Sequence, residues 1–165
     1  MAELDEIKEL RRLWEADPSS GDFRRLYRLS KWGGCFEETV IKGIRGEQTD
    51  AIEDGIHYLE ADPWYFRSGY QKAAIARALK AARLSPSQEE RLRSVILSSL
   101  DGRIGREEFR EYARLAIRIT NSALLRKLEE QAALPRTWAQ LRAKFILELC
   151  RRHGKGADGG GQSGR

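Results

Sequence analysis

Apolar residues recur along this chain every three or four positions, and no stretch alternates apolar and polar residues as a half-buried strand would. A first helical run spans Ala2 to Ala16, with Leu4, Ile7, Leu10, Leu13 and Trp14 on one face, and Asp17-Pro18 ends it. A second runs from Asp22, broken at Gly33-Gly34, to Ile44. A third, Thr49 to Ala61, sets Ile52, Ile56 and Leu59 at helical spacing before Asp62-Pro63 stops it. The fourth, Trp64 to Arg83, is rich in alanine. Ser85-Pro86-Ser87-Gln88 opens a fifth helix through Leu100: Ser accepts from the third helical amide, Gln reaches back, and Pro fits the first helical position. A sixth spans Gly105 to Ile119, Asn121 caps a seventh to Ala133, and Thr137 with Gln140 forms a second capping box for an eighth ending near His153. Lys155 to Arg165, Gly-rich and nearly without apolar residues, reads as a flexible tail on a single domain of residues 1–153.

Phe-Arg pairs stand at Phe23-Arg24, Phe66-Arg67 and Phe109-Arg110, 43 residues apart each time, where composition alone would give fewer than one such pair. Glu-Ala-Asp-Pro occurs twice, at 15–18 and 60–63. A period of this length is that of a two-helix repeat unit, and four hairpins account for eight helices. Arg67 falls among Trp64, Ala74, Ile75, Ala78 and Ala82 on its helix, an apolar face where an unpaired guanidinium is costly. It needs a buried partner, and Asp62 or an acid of a neighbouring unit is the natural one.

The segment Leu59 to Arg67 resembles the HEAT-repeat pattern: a leucine, an Asp-Pro turn, then Arg at the start of the next helix, with Phe66 in place of the usual Val. The third unit departs from it, with Asp101-Gly102 instead of Asp-Pro. The resemblance implies an all-α fold, a short right-handed solenoid of stacked helical hairpins serving as a binding surface. It also gives Arg67 the role of an inter-repeat staple, with Phe23, Phe66 and Phe109 at equivalent positions.

Composition narrows the classes of function. With 165 residues, 41% apolar and 33% charged, the chain is long enough for one core with a generous solvated face. It has no run of about 20 uncharged apolar residues, and an acidic start where a signal peptide is basic, so a cytoplasmic protein without membrane contact is expected. The net charge of +5 hides a polarity: residues 1–62 carry −6 and residues 63–165 carry +11. Such a field orients a protein partner or a self-association.

Catalytic chemistry finds little footing. Asp101 to Phe109 matches the second half of an EF-hand loop, but the first and third ligand positions fall on Leu97 and Ser99, so a glycine turn is the reading taken. Cys35 and Cys150 lack metal-ligand spacing, and His57, among Glu53, Asp54 and Glu60, reads as part of a solvated face. Glu107, Glu108 and Glu111 read as surface salt-bridge partners. No enzyme, cofactor or metal is expected.

Basic residues give the sharper binding candidates. Arg110, Arg114 and Arg118 recur every four residues in the sixth helix, and Lys72, Lys80 and Arg83 share a polar face of the fourth. Merged in a stack, they would form a cationic groove for a nucleic-acid backbone. The main expectation is a protein-interaction module or small scaffold, with nucleic acid as the alternative partner. A scaffold should leave an apolar patch exposed, a nucleic-acid binder a continuous basic groove, and an enzyme a closed pocket of perturbed titratable groups.

Overall fold

Local capping chemistry sets several of the helix boundaries. The computed structural model of the chain describes residues 32–62, 68–102, 104–135 and 137–153, with side chains from Thr39 onward. Ser85 Oγ accepts the Gln88 N–H at 3.2 Å while Gln88 Oε1 accepts the Ser85 N–H at 2.8 Å, the reciprocal box read from the sequence. Asn121 Oδ1 accepts from the Leu124 amide at 2.8 Å. Thr137 Oγ1 likewise accepts from the Gln140 amide at 3.1 Å, but the Gln140 side chain donates to the Ala132 carbonyl at 3.2 Å instead of reaching back. That start is therefore a single cap, because the preceding helix end offers an unpaired carbonyl.

Every regular element among the described residues is a helix, seven of them: α1 (Trp32–Arg45), α2 (Thr49–Ala61), α3 (Ser68–Ala81), α4 (Pro86–Ser99), α5 (Arg106–Arg118), α6 (Ser122–Ala133) and α7 (Trp138–His153). The all-α expectation holds, with seven helices here against the eight expected. The helix expected over Ala2–Ala16, Phe23, Phe66, Arg67 and the Gly-rich segment from 154 lie outside the described residues. Gly33-Gly34 does not break α1. Two glycines cost a helix about 1 kcal/mol each, less than the burial of Val40, Ile41 and Ile44 on the same helix supplies.

Helices two apart in sequence pack on one another: α1 on α3, α3 on α5 and α5 on α7, and likewise α2 on α4 and α4 on α6. Between the two rows, α2 meets α3, α4 meets α5 and α6 meets α7. One continuous core fills the space between them, with Ile56, Ile75, Leu79, Leu92, Ile96 and Leu115 fully buried. Two glycines allow close approach at its start. A Cβ at Gly43 would stand 2.5 Å from Ala51 Cβ, and one at Gly55 would stand 2.8 Å from Ile44 Cδ1.

Burial overturns three surface assignments. Lys72 is 1% exposed, so it does not share a solvated face with Lys80 and Arg83, which are half-buried and exposed. It lies three and seven residues before Ile75 and Leu79, on the stripe that α3 turns to the core. Glu108 and Glu111 are buried as well, turned from α5 toward α3 and not spread on a surface. No helix among the described residues is long and apolar enough to cross a membrane.

Candidate interaction surface

The last helix is apolar on two faces. Ala139, Ala143, Ile146, Leu147 and Cys150 are buried where α7 packs on α5 and α6. On another face, Trp138, Leu141 and Phe145, spaced i, i+3 and i+7, are 75%, 57% and 51% exposed, and Leu134 just before the helix is exposed too. Leu149, half-buried, continues the row. Single exposed apolar residues need no account, but a contiguous row containing a tryptophan and a phenylalanine does. Phe109 of α5 ties the row to the core, its ring centroid 5.6 Å from that of Phe145. This is where the structure places the one described member of the repeated phenylalanines.

The charges around that row are mostly positive. Helix α7 carries Arg142, Lys144, Arg151 and Arg152 against the single acid Glu148. Arg152 pairs with Glu148, and Arg151 reaches Glu129 of α6 at 2.6 Å. Arg142 is turned to α4, where its Nη1 donates to the Leu100 and Gly102 carbonyls at 2.8 Å each and so closes a helix end that would otherwise leave them unpaired. Lys144 is exposed.

The six basic candidates do not come together as one groove. Lys72 is inside. Arg110 pairs with Glu107, Arg118 reaches Glu89 of α4 at 3.4 Å, and Arg114 donates to Glu111 Oε1 at 2.7 Å. Arg83 donates its backbone amide to Glu47. The residue missed in the sequence is Arg77 of α3, half-exposed, which donates to the same Glu111 oxygen at 3.1 Å. Its position opposite the buried face of α3 gave no hint that α5 would present a carboxylate there.

Lys72 anchors the polar interior. Its Nζ stands 2.9 Å from Glu108 Oε1 and 2.5 Å from Asp62 Oδ1. Asp62, expected to hold Arg67, thus serves another cation among the described residues. Burial pushes the Glu108 carboxyl above its usual range, against the pull of Lys72. The Tyr112 hydroxyl lies buried beside these carboxylates, and burial followed by the two negative charges drives its phenol far up. Cys150 is a buried thiol, also pushed up by burial. A cavity of about 170 Å³ opens near Asp62 between α2 and α4, lined by Glu60, Arg91, Ser94, Ser98 and Tyr112 among others. Its charged residues have partners: Arg91 donates to both Glu60 oxygens at 2.7 Å and to Glu53 at 2.6 Å, and Asp62 pairs with Lys72.

In comparisons with known proteins, no family model matches the chain, and no curated protein or solved structure matches it.

Proposed function

We propose that the chain is a non-catalytic protein-interaction module, a short helical-repeat stack of the HEAT-like kind working in the cytoplasm, and that α7 docks an acid-flanked amphipathic helix of a partner protein. The observation that carries this reading is the exposed row Trp138, Leu141 and Phe145. The packing of helices two apart in both rows is what stacked hairpins require, and it supports the repeat reading. In such a stack each helix is covered by the next one in its row. Helix α7 packs on α5 and α6 and keeps a further apolar face in solvent.

The dimensions of the row favour a helix as its occupant. From Trp138 to Leu149 the axial rise is roughly 17 Å, three turns, and anchors at i, i+3 and i+7 match the spacing by which an amphipathic helix lays its apolar face on another. Trp138 and Phe145 are large aromatic side chains that keep much of their surface in solvent, so covering them removes substantial apolar area from water. Charge selects the partner's chemistry. A second copy would set the cationic α7 against itself, whereas a helix with acids beside its apolar stripe meets the exposed Lys144 and the net positive charge of α7 favourably.

The test compares the wild-type chain with Leu141→Glu/Phe145→Glu in nuclease-treated extract of its own cells, with circular dichroism confirming that both are folded. Support is a stoichiometric protein lost with the double variant, whose segment cross-linked to α7 is an acidic amphipathic helix. Capture undiminished by the double variant, recovery of a second copy alone, or loss of all binding after nuclease treatment overturns the reading.

A further inference from the structure

On α5, Arg110 has Glu107 to itself, whereas Arg114 shares its carboxylate with an arginine of α3. Arg77 Nη2 of α3 and Arg114 Nη1 of α5 both donate to the same oxygen, Glu111 Oε1, at 3.1 and 2.7 Å. Two guanidinium nitrogens are thereby held within roughly 6 Å of each other. Among the described residues no other carboxylate lies within 4 Å of either arginine. Two cations therefore share one anion, and the seam keeps an excess positive charge. Glu111 itself has no exposed surface, while Arg77 and Arg114 are 55% and 48% exposed. An approaching anion meets the guanidinium groups first, with the carboxylate beneath them.

We infer that this α3–α5 seam is an oxyanion site, with Arg77 and Arg114 as its two arms and a phosphate group as its ligand. Each guanidinium has five N–H donors in a rigid fork, and each spends one on Glu111. A planar carboxylate is satisfied by a single fork. A phosphate dianion offers more oxygens and more charge, so it can accept from both forks across their separation. Glu111 sets the geometry: the two arginines on it hold its carboxyl below the usual range although burial acts to raise it, so it stays ionised and keeps both arms in place. The site shares no residue with the apolar row of α7 and does not depend on that row's role.

The experiment is a titration of the full chain with inorganic phosphate at constant ionic strength, followed by the arginine Nε–H resonances. Arg77 and Arg114 should shift together and saturate, while Arg126, exposed on α6, should not move. Arg77→Lys keeps the charge and loses the fork, and should weaken binding about tenfold. Shifts that do not saturate, that spread equally over surface arginines, or that survive Arg77→Lys unchanged overturn the assignment.

Discussion

Lys72 and Glu108 meet 2.9 Å apart with both side chains withdrawn from water, joining α3 to α5 across 36 residues of sequence. Each desolvates the other's charge, and the contact offsets that cost only while both are present. Asp62, at the exposed edge of the cluster, supplies the second carboxylate that the ammonium can reach.

Lys72→Met should therefore destabilise the fold by about 3–5 kcal/mol, because it leaves Glu108 buried and unpaired. Adding Glu108→Leu to that variant should recover most of the loss, since a buried pair replaced by apolar residues of similar size is often neutral. Urea unfolding of the two variants checks this. A single variant within 1 kcal/mol of wild type would sink it.

Acid should weaken the chain through the α2–α4 link. Hydrogen bonds from Gln88 and then Arg91 hold Glu53 below the ordinary 4.5, and the Arg91 hydrogen bond holds Glu60 below it. A carboxylate with a lowered folded pKa stabilises fully above its unfolded value and loses that contribution as pH falls through the folded one. Glu108, shifted upward, works in the opposite sense over the range just above 4.5. Wild-type stability should thus fall as pH drops below about 4.5, and Arg91→Ala should be less stable at neutral pH but lose less on acidification. Equal slopes in urea titrations across this range would contradict the assignment.

At Gly55 two effects oppose each other. Alanine there gains about 1 kcal/mol of helix propensity. Its methyl would stand 2.8 Å from Ile44 Cδ1 and 3.3 Å from Ile75 Cγ2, and overpacking of this kind costs about 1–3 kcal/mol. Gly55→Ala should be neutral to destabilising by up to about 2 kcal/mol, while a stabilised variant on thermal melting would mean that Ile44 moves aside freely.

Arg142→Ala should cost about 1–3 kcal/mol, because it leaves the Leu100 and Gly102 carbonyls at the end of α4 without their charged donor. Arg126→Ala, which removes only a 4.0 Å contact with Glu130 on an exposed face, should stay within about 0.5 kcal/mol of wild type. Chemical denaturation of the pair side by side provides the comparison.

Much of the architecture was legible along the chain. The caps at Ser85 and Asn121, the stop at Asp62 and the inward face of α2 were readable, because each depends on residues within a turn or two. The candidate surface was not. Trp138, Leu141 and Phe145 stand in the sequence as one more apolar row, and only the absence of a described helix over them makes them distinctive. A signal was present: α7 has apolar residues on two faces where one suffices for a core. Lys72 carried a signal too, since it falls on the Ile75–Leu79 stripe. The expectation that a lysine belongs in water overrode the periodicity.

By itself the sequence determined that this chain is helical, where most of its helices begin and end, and which faces carry the aliphatic core. Those are consequences of hydrogen bonds and periodicities spanning a few residues. The tertiary structure alone decided that Lys72 and Glu108 are buried partners, that Arg77 and Arg114 share Glu111, and that the apolar row of α7 stays exposed. Each of these depends on what a helix dozens of residues away presents at the same point in space. The cost of a buried charge or an exposed aromatic is set by that neighbour and by nothing local to the residue.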